Sequence, residues 1–154
     1  MLKRLEYRLL DESNHYPTLY TYQHIDELEI AARCTCDFFV KDGVLYEKTS
    51  CSMEVLVYVI YVKEVDNNVT VYHDNIRDNG KKTRIEIRHF IEDVEQYPLL
   101  FTYELRESKE VLLYLQSDYF TWSGKEWQKT SSEIDEDRKI YVLYAKPTGV
   151  EECP

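Results

Sequence analysis

Short stretches of alternating apolar and polar residues recur along this chain, and such alternation is typical of half-buried β-strands. Residues 3–10 and 83–90 alternate in this way, so each stretch predicts a strand. A loop ending in Tyr-Pro follows each of them and leads into a short extended run, at 18–23 and at 99–104. The longest apolar run, VLVYVIYV at 55–62, predicts a buried strand because it is rich in β-branched and aromatic residues and too short to cross a bilayer.

The chain is similar to itself at an offset of 81 residues. The motif YPTLYTY at 16–22 recurs as YPLLFTY, and 12 of 36 positions are identical between 16–51 and 97–132. The flanking strands align at offsets of 80 and 83, with the length changes in polar stretches. We therefore predict an internal duplication of a unit of about 63 residues. Its boundaries are repeat one at 1–66, a polar linker at 67–82, repeat two at 83–150 and a tail at 151–154.

A helix is expected after the extended run of each repeat. In repeat one, Asp26 and Glu29 have the spacing of a capping box ahead of an apolar stretch. In repeat two, Ser108 precedes a helical pattern at 109–116, although residues 111–115 (VLLYL) fit a strand equally well. Each repeat then ends in a hairpin and a final strand, at 54–65 and at 139–146.

The hairpins are the clearest local prediction. Asp42-Gly43 and Ser123-Gly124 are two-residue turn sequences, and the resulting register pairs an aromatic residue with an aromatic residue, and Asp with Lys, in both repeats. The predicted pairs are Phe39 with Tyr46, Asp37 with Lys48, Phe120 with Trp127, and Asp118 with Lys129.

These elements predict an α+β fold built from two β-rich repeats, each with a strand, a Tyr-Pro segment, a helix, a hairpin and a strand. A unit of about 63 residues is marginal as an independent domain, so we expect the repeats to share one compact, pseudo-dimeric core with approximate two-fold pseudo-symmetry. Pockets often lie at such junctions, which makes the cleft between the repeats the expected site.

Composition excludes several functions. The chain has four glycines, all far apart, so it contains no Rossmann or P-loop motif, and it has no HExxH or GxSxG motif. The net charge of -10 is spread over both repeats, which disfavours direct nucleic-acid binding. Residues 1–10 carry four charges and do not resemble an export signal. We expect a cytoplasmic protein with no membrane association, present as a monomer or small homo-oligomer.

The sequence offers only weak evidence for a metal site. Cys34, Cys36 and Cys51 suggest a thiolate site, and the hairpin register would place Cys34 opposite Cys51. No fourth ligand is evident, and repeat two has Leu and Ser at these positions. We therefore predict reduced thiols, no metal and no cofactor.

Tyrosine is the chain's most distinctive residue type, with 14 in 154 residues, and tyrosines are common at binding surfaces. The leading hypothesis is a non-catalytic binding or regulatory protein that holds a protein or small apolar ligand in an aromatic cleft between the repeats, although core packing also explains the Tyr-Pro motif. The candidate binding residues are Tyr16, Tyr20, Tyr22, Tyr97, Phe101 and Tyr103.

Two other classes of function stay open. One is a small enzyme whose site is confined to one repeat and uses His15, His24, Cys34 and Cys51. The other is an acidic protein that mimics nucleic acid and inhibits a basic partner.

Overall fold

The computed structural model describes residues 2–66 and 83–151, so the predicted linker at 67–82 and most of the predicted tail lie outside the described residues. A single 3-10 turn at Glu12–Asn14 follows the first strand. The described strands and helices are β1 (Leu2–Leu9), β2 (Thr18–Asp26), α1 (Glu27–Thr35), β3 (Phe38–Lys41), β4 (Val44–Glu54), β5 (Val57–Asp66), β6 (Thr83–His89), β7 (Leu99–Leu105), α2 (Ser108–Gln116), β8 (Tyr119–Trp122), β9 (Lys125–Asp135) and β10 (Ile140–Glu151).

The fold is mostly β: 62% of the described residues are in strands and 15% are helical, which corrects the predicted α+β class. Each half does contain one helix at the predicted place, but each helix has only nine residues, whereas β10 extends over 12. Two strands extend well beyond their predicted bounds, β2 to Asp26 and β10 to Glu151. Residues 111–115 are helical rather than extended.

The strands form one sheet in the order β2-β1-β5-β4-β3-β9-β10-β6-β7, with β8 paired to β9 beside this path. Within each half the first and last strands are parallel neighbours, β1 with β5 and β6 with β10. The order β2-β1-β5-β4-β3 in the first half thus corresponds to β7-β6-β10-β9-β8 in the second. The halves meet where β3 pairs in parallel with β9, Phe39 opposite Ile134.

Both hairpins have the predicted register, with Phe39 opposite Tyr46 and Phe120 opposite Trp127. In a type I′ turn both central residues are left-handed, and the twist of the turn matches the twist of the two strands that it joins. All four central turn residues have a positive φ: Asp42 (53°), Gly43 (74°), Ser123 (54°) and Gly124 (74°).

The predicted Asp/Lys pairs form through the backbone only. The Lys48 N–H donates to the Asp37 carbonyl at 2.9 Å, and the second hairpin has the same bond. The Lys48 ammonium group instead donates to the Cys34 carbonyl at 2.5 Å, and Lys129 donates to the Leu115 carbonyl. Each lysine therefore binds a carbonyl in the last turn of its helix, where positive charge is favourable.

The main core lies between the two helices and one face of the sheet. The helices pack against each other, and the core contains buried residues from both, such as Ile30 and Leu115. The predicted cap of α1 is confirmed, because the Asp26 carboxylate accepts a hydrogen bond from the Leu28 N–H at 2.7 Å. A smaller cluster around Tyr144 lies on the opposite face of the sheet.

The opposite face also carries an Arg-Glu-Arg pattern on β1. Glu6 pairs with Arg4 at 3.2 Å and with Arg8 at 2.7 Å. The Arg8 hydrogen bond lowers the pKa of Glu6 against the effect of burial. Because the Arg4 side chain is 47% exposed, water screens this group of charges.

The same pattern on β6 is buried. Glu86 is fully buried and pairs with Arg88 at 3.0 Å and with Arg138 at 2.9 Å. Nearby, burial and the charge of Asp135 raise the pKa of Glu133 to about 7. The Arg-Glu pairs are thus buried in the second half, whereas the pairs of the same type in the first half are partly exposed to water.

Candidate ligand pocket

A cavity of about 370 Å³ lies between α2 and the sheet in the second half. This volume is within the range of pockets that hold small molecules. Its walls come from β6, β7, α2, β8 and β10, and all the lining residues belong to the second half. They are Ile87, Phe101, Tyr103, Leu113, Tyr114, Ser117, Phe120, Thr121 and Leu143.

Aromatic rings form much of the wall. Phe101 and Tyr103 are two positions apart on β7, so both point to the same side of the sheet, and their ring centroids are 5.0 Å apart. Phe101 also meets Phe120 edge to face at 6.0 Å, and Tyr103 contacts Tyr114 of α2 at 5.7 Å. Rings that contact one another in this way make rigid apolar surfaces.

The polar groups of the pocket are neutral. Burial is the main factor that raises the pKa of Tyr114, so its phenol stays protonated at physiological pH. The Ser117 hydroxyl donates to the Leu113 carbonyl at 2.6 Å, which leaves its oxygen as an acceptor. None of the nine lining residues is acidic or basic. The pocket is thus suited to an uncharged apolar or aromatic molecule with at most a few hydrogen-bonding groups.

The corresponding space in the first half is filled. Tyr7 aligns with Ile87, and its ring stacks on Phe39 with centroids 3.9 Å apart. Arg33 aligns with Tyr114, and its guanidinium lies 4.7 Å above the Tyr22 ring and donates to the Tyr7 hydroxyl at 3.3 Å. Tyr7 and Arg33 are both buried, and they stand at the positions that Ile87 and Tyr114 hold beside the pocket.

The six predicted binding residues do not form one site. Phe101 and Tyr103 line the pocket, whereas Tyr20 and Tyr22 belong to the filled counterpart in the first half. Tyr16 and Tyr97 lie on the opposite face of the sheet, where they contact Tyr61 at 5.6 Å and Tyr144 at 5.2 Å.

Sequence reasoning missed most of the pocket. The hairpin pattern indicates Phe120 only as one half of a cross-strand pair, and Tyr114 lies in a segment that fits a helix and a strand equally well. One signal was present, since the alignment of the halves sets Ile87 against the larger Tyr7. A smaller residue in place of a large one in the core leaves a cavity where the larger side chain would be.

The residues of the enzyme hypothesis lie elsewhere. His15 and His24 are exposed, and the described residues contain no group of three or more His, Cys, Asp or Glu that could hold a metal ion. Cys34 and Cys51 are close together beside Lys48.

No protein-family model, curated protein or solved structure matches this chain. In the part of the chain that the structure describes, neither helix has the length and apolar character needed to cross a membrane. The functional assignment therefore depends on residue geometry.

Proposed function

We propose that this chain is a non-catalytic cytoplasmic binding protein whose second half holds an uncharged apolar or aromatic small molecule in the pocket between α2 and the sheet. The observation that carries the proposal is the 370 Å³ cavity with four aromatic and three aliphatic lining side chains. Burial of apolar ligand surface there would supply the binding free energy.

The chemistry of the lining residues favours binding over catalysis. They include no carboxylate, imidazole, thiol or amine, which are the usual groups for acid–base or nucleophilic chemistry. The two tyrosine hydroxyls are suited to orienting a ligand through hydrogen bonds. The hydroxyl groups of the wall, such as Ser117, would need a neighbouring base to act as nucleophiles, and the lining residues include none.

The proposal includes an internal duplication with approximate two-fold pseudo-symmetry. The common strand order of the two halves, the identical hairpin turns and the contact between the helices support it. The symmetry would be approximate, because β3 pairs with β9 on the main path of the sheet while β8 lies beside it. Superposition of the halves in a crystal structure would test this part.

The experiment for the pocket is a titration with the uncharged fluorescent dye N-phenyl-1-naphthylamine. We expect saturable binding of one dye molecule per chain. Ile87→Tyr introduces the side chain that fills the first half and should weaken binding by roughly tenfold or more. Leu113→Glu adds a charge at the pocket wall from a position that is 69% exposed, so it should weaken binding without affecting folding.

Leu28→Glu is the matched control, because Leu28 is an exposed leucine of α1 that does not line the pocket. It should leave dye binding unchanged. Binding that persists in both pocket variants would refute the proposal.

A further inference from the structure

Two thiols lie side by side where the last turn of α1 meets β4. The Cys51 thiol is 3.8 Å from the Cys34 carbonyl oxygen, so the two cysteines are in direct contact. Cys51 is exposed and Cys34 is half-buried. A dissolved reagent can therefore reach Cys51, with Cys34 directly behind it.

The sheet register places a positive charge next to this pair. An irregularity in β4 between Lys48 and Ser50 puts Lys48 and Cys51 opposite Val62 and Ile60, two core-facing residues of β5. Lys48 and Cys51 are therefore on the same face of the sheet, and the Lys48 ammonium group binds the Cys34 carbonyl.

The electrostatic surroundings favour a thiolate at Cys51. The hydrogen bond from Cys34 and the charge of Lys48 lower the pKa of Cys51 to about 7, although partial burial opposes them. The hydrogen bond to Cys51, together with burial, holds the pKa of Cys34 well above its usual range. The pair thus has one thiol that ionises near neutral pH and one that stays protonated.

The second half separates the structural role of the lysine from the chemistry of the thiols. Lys129 makes the same bond to the Leu115 carbonyl, but Leu115 and Ser132 stand where the first half has Cys34 and Cys51. The lysine contact therefore does not require thiols. The first half adds two of them to an arrangement that the second half maintains without them.

We propose that Cys34 and Cys51 form a redox-active dithiol that reacts with low-molecular-weight disulfides of the glutathione type. The Cys51 thiolate attacks one sulfur of the disulfide, whose S–S bond breaks and releases one thiolate that takes up a proton. The Cys34 thiol then gives up its proton and attacks the Cys51 sulfur, which releases the second thiol. Two protein thiols lose two electrons, and the small disulfide gains them and becomes two thiols.

Cys36 serves as an internal reference. It is buried in the core, and burial raises the pKa of its thiol to about 12. A buried neutral thiol is unreactive. The reaction should therefore select Cys51 over Cys36 by both access and ionisation.

The test is incubation of the full chain with oxidised glutathione, followed by acid quenching, intact mass measurement and peptide mapping, in a Cys153→Ser background. We expect loss of two hydrogen atoms and a Cys34–Cys51 cross-link. Cys34→Ser should stop at one glutathione adduct on Cys51. Cys51→Ser should react more slowly by about tenfold or more, while Cys36→Ser should react like the parent.

A second measurement probes the role of Lys48. The pH midpoint of iodoacetamide reaction at Cys51 should lie near neutrality and rise in Lys48→Gln. Lys129→Gln removes the equivalent lysine of the second half and should leave the midpoint unchanged. The proposal is overturned if the parent keeps a stable glutathione adduct, if the cross-link joins other cysteines, or if Cys51 alkylates no faster than Cys36.

Discussion

The two halves of this chain use the same strand order but differ in how the space under the helix is filled. In the first half Tyr7 and Arg33 occupy it, whereas in the second half Ile87 and Tyr114 leave a cavity. The comparison associates the pocket with side-chain differences at matching positions, since the second half has the smaller Ile87 in place of Tyr7 and has Tyr114 in place of Arg33.

A second difference concerns charges of the same type. The Arg-Glu-Arg pattern is partly exposed on β1 and buried on β6. The pairs are chemically alike, but removal of one partner is much more damaging where the remaining charges cannot reach water. Four predictions test the comparison of the halves, beginning with the largest expected effect.

Glu86→Gln should lower the free energy of unfolding by about 4 kcal/mol, because it removes the buried carboxylate that pairs with both Arg88 and Arg138. The matched change Glu6→Gln should lower it by about 1 kcal/mol, since Arg4 is solvated. Urea denaturation measures both. Equal losses would mean that burial does not distinguish the two patterns.

Tyr7→Ile introduces into the first half the residue that the second half has at this place. The loss of a buried ring should lower the free energy of unfolding by about 3 kcal/mol. It should also create a second binding site for N-phenyl-1-naphthylamine. A stable variant that gains no dye binding would show that Tyr7 is not what fills the space.

Glu133 should make stability depend on pH. Its pKa rises from an ordinary value of 4.5 to about 7, so the folded state binds a proton that the unfolded state releases. Stability should therefore fall by about 2 kcal/mol as the pH rises from 5 to 7. Glu133→Gln should remove this slope in urea titrations. Ser52→Ala, at the corresponding position of the first half, should leave the slope intact.

The smallest effect is expected at the two hairpin turns, which have the same backbone geometry in both halves. Gly43→Ala and Gly124→Ala should each lower stability by about 1 kcal/mol, because both glycines have a φ of 74° and an added Cβ meets no other atom within 4 Å. Thermal unfolding would measure the losses. A large difference between the two variants would show that the hairpins are not energetically equivalent.

Local features were predictable because their causes lie within a few residues. The turn type of Asp42-Gly43 and the alternation beside it determine the pairing of Phe39 with Tyr46. Asp26 caps α1 through an N–H two residues away. The α+β class was less accurate, since strand length depends on neighbouring strands that no short segment contains.

The pocket required contacts between distant segments. Ile87, Phe101 and Phe120 come from three strands, and only the packing of α2 over them makes a cavity. The six aromatic residues of the predicted cleft were chosen because they belong to the two Tyr-Pro motifs. Tyr16 and Tyr97 nevertheless lie on the other face of the sheet, because side chains near a loop can turn to either side of it.

By itself, the amino-acid sequence determined the two hairpins and the cap of α1, since turn chemistry and capping act over short distances. Tertiary structure alone decided which half has the pocket and how completely the matching carboxylates, Glu6 and Glu86, are removed from water together with their arginines. Burial is a property of the whole packed chain, and residues with the same local sequence can have different depths within it.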